Sequence, residues 1–220
     1  MKKILIAALV LMMSPSWSAI VYQYDDGSGE SSLGCSGCDV IWLNGFKAVA
    51  GGTSITSIDI AFGANSTTDG PSDGALVNAY IWSDPTDDGD PEDAAAIASI
   101  AGTVQSSHSD TFIRFLLPSP VVFDVGEWFF VGFQSTDFAV SRDENSPAAQ
   151  SWIAAWSNGL PNPDDLSSAN VAFGEARTFG FPGNFLIRAN GEGSVPEPGV
   201  LALLALGIAG IGIRRRNLSV

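Results

Sequence analysis

In the stretch WSDPTDDGDPEDAA, Asp84, Thr86, Asp88 and Gly89 fall on positions one, three, five and six of a D-x-[DN]-x-[DN]-G loop, and Asp90 follows. Hard cations take several oxygens from a tightly turning backbone, so Asp84, Thr86, Asp88 and Asp90 form a candidate calcium set. Two features count against it. Position twelve is Ala95 where such a loop supplies a bidentate glutamate, and no helical pattern precedes the segment. The competing expectation is a solvated acidic hairpin joining two strands. A second acidic pair, Asp164-Asp165 in LPNPDDL, offers less.

The two cysteines stand as Cys35-Ser-Gly-Cys38. Haem attachment requires histidine directly after the second cysteine, and that residue is Asp39. A thioredoxin-like redox pair sits beside a βαβ pattern, which is missing here. A zinc site needs two further ligands, and the chain has one histidine. The candidate that fits best is a local disulfide Cys35–Cys38 in an oxidising compartment, with redox and metal roles as alternatives. The histidine, His108, lies among Ser106, Ser107 and Ser109 in VQSSHSDT, with no G-x-S-x-G setting and no identifiable orienting acid. The expectation is a chain that is not an enzyme. Carboxylate pairs for glycoside hydrolysis carry no signal in a sequence this rich in acids. Trp42, Trp82, Trp128, Trp152 and Trp156 are either sugar-stacking platforms or core, and their strand-alternating positions favour core.

The elements that must position these residues read as short strands. SITSIDIAFG alternates Ile58, Ile60 and Phe62 against Ser57, Asp59 and Ala61. ALVNAYIWS and TFIRFLL alternate in the same way. VVFDVGEWFFVGFQS predicts two strands about a turn at Val125-Gly126, the second nearly apolar on both faces. AIVYQYDD, SWIAAWS and NFLIRAN complete the set, and PEDAAAIASIAG predicts a turn at Pro91 running into a strand. Short strands with glycine and proline between them predict a single antiparallel β-sandwich of jelly-roll or immunoglobulin-like kind.

Both ends differ from this middle. Residues 1–18 carry two lysines, an apolar stretch from Ile4 to Met13 and then small residues, the layout of a secretory signal peptide cut between Ser18 and Ala19. At the other end Val200–Ile213 is an uninterrupted apolar run of fourteen residues. As a helix it spans roughly 21 Å, short of the ~30 Å hydrocarbon core. Arg214, Arg215 and Arg216 follow, which places the C-terminus in the cytoplasm by the positive-inside rule. Between the ends, residues 19–190 form the sandwich and 191–194 a linker. From 19 to 194 there are five basic against twenty-three acidic residues, a formal charge of −18. That field repels nucleic acid and anionic lipid.

Val195, Pro196, Glu197, Pro198 and Gly199, then the apolar segment 200–213, then the basic tail 214–220, resemble the PEP-CTERM sorting signal. The resemblance implies export in a Gram-negative bacterium, transient residence in the inner membrane, and recognition by exosortase near Pro196-Glu197-Pro198 with loss of the tail. It further implies association with the cell surface and an exopolysaccharide matrix. NGFKAVAGGTSITSIDIAFG, YIWSDP, FFVGF and FPGNFLIRA resemble the β-sandwich domain of many such secreted proteins, which transfers no catalytic residues. The functional expectation is a non-enzymatic structural or adhesive surface component, the alternative a carbohydrate- or calcium-dependent binding module.

Overall fold

The computed structural model describes residues 17–63, 72–136, 139–147, 150–157, 159 and 161–194. The expected signal helix and C-terminal sorting helix lie outside the described residues. Three antiparallel sheets build the domain. A four-stranded sheet has the order β1 (Trp17–Tyr22), β13 (Ile187–Ser194), β4 (Ser54–Ile60), β7 (Ile113–Val122). A six-stranded sheet runs β11 (Ala172–Glu175), β10 (Ser151–Ser157), β3 (Cys38–Lys47), β8 (Trp128–Thr136), β5 (Leu76–Ser83), β6 (Ala95–Thr103). A small third sheet joins β12 (Asn184–Phe185), β9 (Val140–Asp143) and β2 (Ser31–Leu33).

The main core lies between the two large sheets. Ile58 and Ile60 of β4, Phe115 of β7 and Ile187 of β13 meet Trp42 and Phe46 of β3 and Phe129 and Phe133 of β8. Phe123 stacks on Phe129 at 4.7 Å, and Phe62 meets Phe133 edge-on at 5.3 Å. In β5 the alternation in sequence becomes sidedness, with Val77, Ala79 and Ile81 buried and Leu76 and Asn78 exposed. Strands β3, β8 and β10 lose that contrast because their second face is covered as well. Ile41, Leu43, Trp82, Phe130, Trp152 and Trp156 form a second apolar cluster there, closed by Ala94 and Leu166. Two 3-10 turns, Pro91–Asp93 and Leu166–Ser168, carry that cover. The turn expected at Pro91 is the first of them, with Asp90 Oδ1 accepting from the Glu92 N–H at 3.0 Å before β6 begins.

Two boundaries differ from expectation. TFIRFLL and the start of VVFDV belong to one strand, β7, although Pro118 and Pro120 interrupt its donors. The strand lies at a sheet edge, and its pairing with β4 breaks between Leu116↔Ser57 and Val121↔Ile55. An edge and a bulge are where a strand tolerates proline. Residues 191–194, expected as a linker, are the end of β13, where Gly191, Glu192, Gly193 and Ser194 pair with Ile20, Ala19, Ser18 and Trp17. Their glycines are what sheet packing demands: a Cβ on Gly191 would stand 2.3 Å from the Gly52 carbonyl oxygen. Strand β1 begins two residues ahead of the expected cleavage point, and a chain starting at Ala19 keeps the pairs from Ala19↔Glu192 to Tyr22↔Ala189.

Candidate functional site

The two ends of the domain lie side by side, since Trp17 is paired with Ser194. The segment that enters the domain at Trp17 and the one that leaves it toward the sorting motif therefore share one end of the four-stranded sheet. Val195 to Gly199, the apolar run and Arg214 to Arg216 lie outside the described residues. They start directly after the last paired residue, with no spacer.

The acidic loop is organised from within. Asp84, 8 % exposed, accepts hydrogen bonds from the Asp87 N–H at 2.9 Å, the Gly89 N–H at 2.7 Å and Thr86 Oγ1 at 3.3 Å. Burial pushes its carboxyl above the usual carboxylate range despite the two N–H donors, and Asp88 and Asp93 add to the push. Asp88 Oδ1 accepts from the Asp90 N–H at 2.8 Å, and Asp87 Oδ1 from the Trp128 N–H at 2.7 Å. Thr86, Asp88 and Asp90 line an open depression of about 400 Å³ together with Glu92, Asp93 and Ser167. Asp84 stands apart from it, holding the turn.

Among the described residues, three acids do converge elsewhere: oxygens of Asp26, Glu30 and Asp143 lie within 4.8 Å of one another. Asp26 and Glu30 are exposed, whereas Asp143 at the end of β9 is fully buried. Burial alone would raise the Asp143 carboxyl, but hydrogen bonds from the Ser146 hydroxyl and from the N–H groups of Ser146, Asp26 and Asn145 hold it below the usual range. Glu30 receives the Glu144 N–H at 2.9 Å and Ser28 Oγ at 3.0 Å. This grouping escaped sequence reading because Asp143 lies more than a hundred residues from its partners. The DDGSGE run at Asp25–Glu30 was the available local signal. Beside it, Asp25 forms a buried ion pair with Arg188, whose guanidinium lies 3.9 Å over the Phe112 ring.

The remaining sequence candidates are dispersed. Cys35 and Cys38 are joined as a disulfide in the turn feeding β3, with Cα atoms 5.4 Å apart. His108 has a left-handed backbone, φ 58°, and its N–H donates to the Phe62 carbonyl at 3.0 Å. Asp73, from the turn before β5, accepts from the Ser107 N–H at 2.8 Å, and the Ser109 hydroxyl donates to the Ser106 carbonyl. Trp42, Trp82, Trp152 and Trp156 are core residues, while half-buried Trp128 lies against Gly89 with Lys47 Nζ 5.5 Å from its ring. Tyr80, by contrast, reaches a surface concavity. It lines an open depression of about 390 Å³ with Ala96, Ile97, Ala98, Ser99, Pro163 and Asp164.

The model of the PEP-CTERM protein-sorting motif matches residues 194–216. The chain carries a PEP-CTERM protein-sorting motif. The motif implies export, recognition by exosortase and a membrane-anchored state before processing. Among curated proteins none matches. In fold, the chain is similar to two structures of a Clostridium difficile protein. One is the cysteine protease Cwp84 after propeptide cleavage, at 18 % identity and TM-score 0.56, covering 80 % of this chain and 41 % of that one. The other contains the cysteine protease and lectin-like domains of Cwp84, a surface layer associated protein, at 18 % identity and TM-score 0.55, covering 80 % and 36 %. The chain thus spans less than half the length of the structures it matches.

Proposed function

We propose that this protein is an exported component of the cell surface or exopolysaccharide matrix of a Gram-negative bacterium, sorted by exosortase, with a non-enzymatic structural or adhesive role. The observation that carries this reading is the three-part tail, Val195–Gly199, apolar run and arginines, set directly after the strand that closes the sandwich. Proline disfavours helical backbone in the residue before it, so the Pro196-Glu197-Pro198 sequence suits recognition by a peptidase. Mass spectrometry of the protein recovered from its host tests the reading. A mature C-terminus upstream of Val200, lost when exosortase is deleted, is the expected result. A protein still ending at Val220 in the exosortase-positive host refutes it.

A second reading is a carbohydrate- or calcium-dependent binding module. It draws support from the Tyr80 depression, from the Asp26–Glu30–Asp143 and Thr86–Asp88–Asp90 carboxylates, and from likeness in fold to a structure that includes a lectin-like domain. Calcium would suit either acidic group, since hard cations favour oxygen donors.

A further inference from the structure

The outer face of the six-stranded sheet is covered in part by the acidic loop and the 161–170 segment, through Ala94, Leu166 and Ala169. Beside this cover lies the Tyr80 depression. Tyr80 of β5 is directly opposite Ser99 of β6, so both side chains rise from the same face. The Pro163-Asp164 turn forms the facing wall, held down by a hydrogen bond from Trp82 Nε1 to the Pro163 carbonyl at 2.7 Å. Ala96 and Ile97, the latter 45 % exposed, supply an apolar lining. Tyr80 Oη donates to Gln134 Oε1 at 3.2 Å, which orients that amide with its nitrogen as the donor, and exposed Asn78 is the cross-strand neighbour of Gln134.

This is an aromatic ring beside a small apolar patch, ringed by a carboxylate, a hydroxyl and two amides, and open to water on one side. Among the described residues no cation lines it, so it offers nothing to a phosphate or carboxylate ligand, and the −18 charge of the domain repels both. A pyranose matches it. The C–H face of the sugar packs on the Tyr80 ring and the alanine–isoleucine patch, while vicinal hydroxyls donate to Asp164 and exchange hydrogen bonds with Ser99 and Gln134. An open depression suits a chain that enters and leaves at both ends.

We infer that the outer-face depression of Tyr80, Ser99 and Asp164, adjoined by Gln134, binds a neutral, polyhydroxylated glycan segment. The inference rests on the second reading above and names its site and ligand class.

Affinity electrophoresis of the full exported protein tests it, through gels containing a neutral β-glucan, galactomannan or dextran, or the anionic alginate. Asp164→Ala and Tyr80→Ala are compared with Asp124→Ala, an exposed acid on the β7–β8 turn, and circular dichroism checks each fold. At least one neutral polysaccharide should retard the wild type, with alginate inert and high salt without effect. Asp164→Ala should weaken binding about tenfold and Tyr80→Ala at least as much, with Asp124→Ala unchanged. Should Tyr80→Ala fail to fold, Asp164→Ala and Tyr80→Phe, which keeps the ring and removes the hydroxyl, carry the test. Equal retardation of wild type and the site variants overturns this site and leaves the glycan reading standing. Retention by a basic peptide column that collapses at high salt, with polysaccharides inert, identifies a cation site and overturns the proposal. No retardation by any polysaccharide sinks the site and the glycan reading together.

Discussion

Replacing Asn44 with leucine should be among the most damaging conservative-volume changes in this domain. Asn44 is fully buried in β3, and its Nδ2 donates to the carbonyls of Phe185 at 2.9 Å and Ile187 at 2.8 Å. Its Oδ1 accepts from Ser151 Oγ at 2.7 Å, and that hydroxyl in turn accepts the Phe185 N–H at 3.1 Å. The residue therefore ties the six-stranded sheet to the corner where the chain passes from β12 to β13. Leucine orphans two carbonyls and one hydroxyl donor, each costing about 1–3 kcal/mol when buried. The apolar gain of leucine returns about 2 kcal/mol, leaving a net loss of about 1–7 kcal/mol, of which ~3 kcal/mol is the working figure. For a domain of this size that is a fall in Tm of about 6–12 °C. Urea unfolding followed by tryptophan fluorescence reads the same loss as a lower midpoint at unchanged slope. The double variant Asn44→Leu with Ser151→Ala should be less destabilised than the two single effects added together, because the hydroxyl is no longer stranded. A loss under ~1 kcal/mol, or strict additivity of the pair, would refute the idea that this network bears weight.

Two further outcomes follow from the same kind of reasoning. The folded-state carboxyl of Asp143 titrates below its ordinary value, so its ionised form stabilises the fold above that value and the contribution fades as pH falls through the folded pKa. Asp143→Asn should therefore melt below wild type at neutral pH, with the gap narrowing as pH falls below the usual carboxylate range; a pH-independent gap contradicts this. Replacing Cys35 and Cys38 with serine opens a loop of sequence separation three, for which chain entropy predicts a loss of no more than about 2 kcal/mol. The variant should remain folded by circular dichroism, and outright unfolding would contradict a merely local role.

Much of the architecture was legible locally. Alternation in SITSIDI and ALVNAYIWS depends on which face of a strand meets the core, and that is written in consecutive residues. The turn at Gly126, with φ 100°, and the 3-10 turn at Pro91 were readable for the same reason. The short strands β2, β9 and β11 were not, since three or four residues carry too little periodicity to stand out. Nor was the end of β13, where NGEGS has the composition of a linker. Its glycines answer to the backbone of the 51–52 turn, a neighbour some 140 residues away in the chain.

By itself, the sequence determined the sorting address: the Pro-Glu-Pro tail with its apolar run and arginines is a linear signal, written in consecutive residues, that implies export. It also determined that the middle must be β. Tertiary structure alone decided which of the many carboxylates meet, drawing Asp143 to Asp26 and Glu30 while turning Asp84 inward to hold its own loop. It also sank four tryptophans in apolar clusters and left Tyr80 lining a surface concavity. Strand order makes these choices, because a sheet brings together residues that no local spacing relates, and only the assembled faces set what is buried, charged or open to a ligand.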